Sequence, residues 1–175
     1  LNEFTQLHIT QKQLDRARQT AKEALTLACN IENLPVETCH PNKPQMAVQA
    51  LCQWGNLLTA EHDYKAALVA YDKALALVTS LLSQNSFPLS KDIGKPIILS
   101  KSDIKELYGK ILINKAQANF WLEVKKAYRY ADKMKAFRTS LVALEQALSV
   151  IQNWPDAFGE ALGLIAIGQL LEQIQ

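Results

Sequence analysis

LCQWGNLLTAEHDYKAALVAYDKALAL, residues 51–77, holds two helical periods separated by a short run that fits neither. In the first, Leu51, Trp54, Gly55 and Leu58 fall on one stripe. In the second, Ala67, Leu68, Tyr71, Ala74, Leu75 and Val78 form another. His62, Asp63 and Tyr64 interrupt them, with Asp63 suited to cap the second helix and Tyr64 to pack into the crease. The stretch therefore reads as a helix hairpin. A mid-helix glycine costs roughly 1 kcal/mol against alanine, so Gly55 calls for close approach of the partner helix. Ala67 and Ala74 keep that approach open, while Trp54, Leu58 and Tyr71 fill the space around it.

This arrangement of residues resembles a tetratricopeptide repeat, a 34-residue helix hairpin with small and aromatic residues at set places. Gly55, Ala67, Tyr71 and Ala74 match the pattern, as does the turn Asp63-Tyr64. Leu51 stands where Trp is usual, Trp54 where Leu is usual, Leu58 where Tyr is usual, and Thr79 replaces the closing Pro. The resemblance implies an all-α fold in which antiparallel helix hairpins stack as a right-handed solenoid. It also implies a non-catalytic scaffold or adaptor that binds a peptide or partner protein in its concave groove. A lone hairpin cannot bury its own face, so neighbours are required.

Outward from the centre, residues 1–30 read as a first hairpin. Leu14, Ala17, Ala21, Ala24, Leu25 and Ala28 repeat the spacing of Tyr64, Ala67, Tyr71, Ala74, Leu75 and Val78; Thr5 replaces the glycine and Ala21 the aromatic. Ala24 and Ala74 stand 50 residues apart, beyond the 34-residue period. The excess falls in a Pro-bearing loop at about 31–45, before the central hairpin at about 46–82. A second loop is expected at about 83–101, with Phe87, Ile97, Ile98 and Leu99 tucked against helices. Ser102 suits a cap for the third hairpin, about 103–152, whose helices should be long because Glu123 to Lys135 holds neither Gly nor Pro. After Asn153-Trp154-Pro155-Asp156 comes a terminal helix, about 156–174, apolar nearly all round and a candidate for self-association. The whole reads as a single domain, residues 1–175.

The totals agree with a folded helical chain: 49% apolar and 21% charged residues, and six glycines and six prolines in 175 residues. A net charge of +2 is too mild to imply a nucleic-acid partner by itself. The three cysteines, Cys29, Cys39 and Cys52, are odd in number and lack CxxC spacing, which argues against a disulfide framework and for a reducing, cytoplasmic setting. The longest apolar run, Ala161 to Leu171, is too short to span a bilayer, so no membrane partner is expected. The chain does not open with Met and reads as a piece of a longer protein.

No catalytic pattern stands out. His8, His40 and His62 lie outside any HExxH motif, Gly94-Lys95 lacks the rest of a phosphate loop, and the carboxylates fall on charged faces. Cys39-His40 with Cys29 and Cys52 has no zinc-like spacing. The expectation is no enzyme, no metal and no cofactor.

By the resemblance, first helices line the groove. That points to Gln49, Cys52, Gln53, Asn56 and Ala60, then Lys110, Ile113, Asn114 and Gln117, then Leu162, Ile165, Ala166 and Gln169 as peptide-binding residues. Asn56 and Asn114 match the asparagines with which some family members clamp acidic chaperone tails. Cys52, Leu162 and Ala166 take the cationic places, which disfavours that ligand. The competing reading is KKAYRYADKMKAFR, residues 125–138, with six basic residues against one acidic. On a continuous helix Lys125, Arg129 and Lys133 would share a face, with Lys126 beside it and Tyr128 and Tyr130 as flanking rings, a patch for nucleic acid or an acidic surface.

Overall fold

Among the described residues six helices follow one another: α1 (Asn2–Thr10), α2 (Leu14–Cys29), α3 (Pro44–Ala60), α4 (Tyr64–Ser83), α5 (Lys101–Lys126) and α6 (Tyr130–Gln152). The computed structural model describes residues 1–29, 44–83, 101–127 and 129–152, and among these the chain is all-α, without strand. Most of both expected loops and the expected terminal helix 156–174, with Leu162, Ile165, Ala166 and Gln169, lie outside the described residues.

The expected breaks are where the helices change. Three residues, Glu61 to Asp63, join α3 to α4, and the Asp63 carboxylate accepts a hydrogen bond from the Ala66 amide at 3.2 Å as an N-cap. The ring of Tyr64 is buried in the crease, and its hydroxyl meets Nδ1 of His62 at 2.8 Å. Pro44 opens α3, where the missing amide of proline has no helical partner to lose. Ser102 is not a cap, because α5 already begins at Lys101.

Gly55 has the packing role its position demanded. A Cβ there would lie 2.5 Å from Cε1 and 2.8 Å from Cζ of Tyr71, so the tyrosine ring lies against bare backbone. Buried residues of α2, α3, α4 and α5, among them Ala17, Ala24, Leu51, Leu57, Tyr71, Val78, Ile111 and Ala118, form one apolar core, against which Ile9 of α1 packs. A second cluster gathers Ile113, Ala116, Phe120, Leu144 and Ala147 between α5 and α6.

Each helix packs on its neighbours in sequence, and α3 also touches α1 and α5. Arg18 of α2 bridges to Glu61, and its guanidinium stands over the Trp54 ring, 5.9 Å from the centroid. By length and composition α4 is apolar enough to cross a membrane, but its stripe from Tyr64 through Tyr71 to Leu81 is buried against the other helices.

Two expectations need correction. Cys29 is disulfide-bonded and Cys52 is a free, buried thiol. An odd cysteine count does not exclude a disulfide, so the cysteine argument for a reducing compartment falls. The third hairpin does have long helices, but α5 stops at Lys126 and α6 starts only at Tyr130. The Ala127 amide closes back on the Val124 carbonyl at 3.1 Å, and the Arg129 carbonyl starts the next helix by accepting from Asp132 and Lys133. Lys125 and Lys126 end one helix and Asp132 sits in the first turn of the next, so each charge favours its helix terminus. The break needs no Gly or Pro.

Candidate functional site

Gln6 on α1, Asn56 on α3 and Asn114 on α5 meet through their side chains. The Asn114 amide donates to Oδ1 of Asn56 at 2.8 Å, and the Asn56 amide reaches Oε1 of Gln6 at 3.3 Å and of Gln53 at 3.4 Å. From below, the Tyr71 hydroxyl donates to the same Asn56 oxygen at 2.8 Å and lies 3.3 Å from the Thr59 hydroxyl. Gly55 makes this possible: with no side chain to pass, the ring runs from α4 across α3 and delivers its hydroxyl to the far side.

Above this network lies a groove of about 1010 Å³. Of the residues expected to bind a peptide, Gln49, Cys52, Gln53, Asn56, Ala60, Lys110, Asn114 and Gln117 all line it. Ile113 does not, because it is buried in the apolar cluster between α5 and α6. Cys52 is buried as well and contributes to the floor rather than an exposed wall. Its Sγ receives the Asn114 amide at 4.0 Å. Burial pushes the Cys52 thiol up to about 12, against smaller opposing effects of the Asn114 hydrogen bond and Lys110, so near neutral pH it is a thiol and a poor nucleophile. Burial likewise holds the Tyr71 phenol well above its ordinary value. Charge is sparse: Lys110 is paired with Glu106 one turn away, and Glu3 stands on the α1 wall.

Comparison of the chain with protein-family models, with curated proteins and with solved structures finds no match. The resemblance to tetratricopeptide repeats rests on the residues themselves.

The wall formed by α1, with Glu3, Gln6 and Ile9, was missing from the expected site, as were Thr59, Tyr71 and Leu107. The signal for α1 was present: the 50-residue offset that aligns the two hairpins carries Gln53 onto Glu3, Asn56 onto Gln6 and Thr59 onto Ile9.

The basic patch does not assemble as expected. Lys125, Lys126, Arg129 and Lys133 are all exposed, but α5 ends at Lys126 and α6 begins at Tyr130, so Lys125 and Lys126 stand on a different helix from Lys133. They share no continuous helical face. Lys126 is bound by Glu123 at 2.7 Å, and the hollow beside it also holds Asp132. The charges are mixed rather than a cationic stripe suited to phosphate.

Proposed function

We infer that the chain is a non-catalytic interaction module, an array of tetratricopeptide-like hairpins acting as a scaffold or adaptor. Its groove binds a peptide segment of a partner protein. The contacts of α3 with both α1 and α5 support the stacked arrangement, since they place the first helix of each hairpin side by side. The observation that carries the reading is the coincidence of eight expected side chains on one groove. Amide side chains there offer both donors and acceptors, the chemistry that main-chain N–H and C=O groups of an extended segment require.

The test is selection of peptides from a random displayed library on the full chain, followed by affinity measurement. Gln53→Ala with Gln117→Ala, both partly exposed in the groove, with Gln53 touching the Tyr71 network only at its edge through Asn56, is expected to weaken a selected peptide roughly tenfold. An affinity unchanged by that pair removes the groove as the binding site.

A further inference from the structure

Asn56 sits at the centre of the amide network with its hydrogen-bonding capacity used up. A carboxamide oxygen accepts two hydrogen bonds and its nitrogen donates two. Oδ1 of Asn56 accepts from the Tyr71 hydroxyl and from the Asn114 amide, both at 2.8 Å, and Nδ2 donates to Oε1 of Gln6 and of Gln53. The asparagine that the sequence points to as a peptide contact therefore has nothing left to offer a guest. It holds its neighbours instead.

Holding them also orients them. The Thr59 hydroxyl gives its one hydrogen to the Gly55 carbonyl at 2.9 Å, and Tyr71 gives its own to Asn56 at 2.8 Å, the usual O–H···O separation. With the Asn56 oxygen turned to Tyr71 and Asn114, its nitrogen faces both glutamines, which meet it with their oxygens. Among the described residues, Nε2 of Gln6 and of Gln53 remain unbonded donors on α1 and α3, and Oδ1 of Asn114 remains an unbonded acceptor on α5. All three residues line the groove. Asn56 thus separates a donor side from an acceptor side.

We propose, resting on the reading of the groove as a peptide site, that this patch recognises a side-chain carboxamide, a glutamine or asparagine of the bound peptide. An extended main chain turns the N–H and C=O of each residue to the same edge, so either edge carries both kinds. A primary carboxamide separates them: its oxygen accepts from Gln6 and Gln53 while its nitrogen donates to Asn114. A carboxylate in its place lacks the donor and sets oxygen against the Asn114 oxygen. An isosteric methionine satisfies neither side, and polar groups left unpaired are what make such a site selective. Tyr71 and Asn56 are positioning residues; Gln6, Gln53 and Asn114 make the contacts.

The probe is a peptide selected on the full chain from the displayed library, with each glutamine in it replaced in turn by glutamate and methionine, and each asparagine by aspartate and leucine. At one position both replacements are expected to weaken binding roughly tenfold. Gln53→Glu keeps an oxygen for Asn56 and exchanges the free donor for a charged acceptor. At that same peptide position it should turn the preference from the carboxamide to lysine, a change that loss of folding does not produce. Selected peptides that lack a carboxamide or are indifferent to its loss overturn this proposal, as does a preference unchanged by Gln53→Glu. If those peptides are still weakened by Gln53→Ala with Gln117→Ala, the groove stands as a peptide site and only the carboxamide reading falls. Peptides that the alanine pair leaves unaffected overturn both.

Discussion

The turn at Gln11–Gln13 and the turn at Glu61–Asp63 carry the same main-chain hydrogen bonds. Gln11, Lys12 and Gln13 donate to Leu7, Ile9 and His8, and Glu61, His62 and Asp63 donate to Leu57, Thr59 and Leu58. Lys12 at φ 59° and His62 at φ 63° both take the left-handed conformation. The helices leaving these turns then fill the space between them in opposite ways. In the second hairpin the first helix supplies nothing at Gly55 and the second supplies the ring of Tyr71. In the first, α1 supplies Thr5, whose hydroxyl meets that of Thr20 at 3.0 Å, and α2 supplies only Ala21. One backbone geometry is compatible with either distribution of bulk. What must be kept is the sum across the pair.

The largest effect should come from Tyr71→Ala, which empties a buried site and removes the donor to Asn56. A loss of about 3–5 kcal/mol is expected by urea denaturation. Next is Gly55→Ala. Helix propensity alone would favour it, yet the new methyl meets a buried ring at 2.5 Å, so a loss of about 1–3 kcal/mol is expected. In the Tyr71→Ala background the sign should reverse, and Gly55→Thr should recover part of the stability by reproducing the Thr5 and Ala21 pairing. Additive losses in that double variant would break the equivalence of the two hairpins.

A smaller effect distinguishes the hairpins by pH. Asn2 of α1 stands opposite Cys52 in the alignment, so only the second hairpin has the thiol. The Cys52 thiol ordinarily titrates at 9.0 and in the folded chain at about 12. Between those values the unfolded chain binds fewer protons than the folded one, so stability falls as pH rises. Below pH 9.0 this contribution is constant. Urea midpoints measured across that window should fall less steeply for Cys52→Ala. Maleimide labelling of Cys52 at neutral pH should require unfolding. The smallest effect concerns the turns. Lys12→Gly relieves a left-handed non-glycine residue and should stabilise by roughly 0.5–1 kcal/mol. His62→Gly should gain less, because it also loses the contact with Tyr64.

Periodicity made the three hairpins legible, and Gly55 announced its own contact because glycine is expensive in a helix. The groove was legible on α3 and α5, where polar residues interrupt apolar stripes at regular spacing. It was missed on α1, since Glu3 and Gln6 look like any solvated helix face until the repeat offset is applied. Ile113 was misplaced because it stands next to Asn114 in sequence yet shares the stripe of Ala116 and Phe120, which closes with Leu144 and Ala147 of α6. The break after Lys126 was missed because its signals are charges at helix ends, which look the same as a continuous basic stripe when read without boundaries.

The phenol of Tyr71 ends in the groove while its ring rests in the interior, so one side chain belongs to both. An occupant competing for the Asn56 oxygen would have to disturb the packing against Gly55 as well. The floor is therefore stiff, set before any guest arrives. On the proposed reading of the groove as a peptide site, such a floor would discriminate by fit, rejecting sequences that a more pliant one would mould itself around.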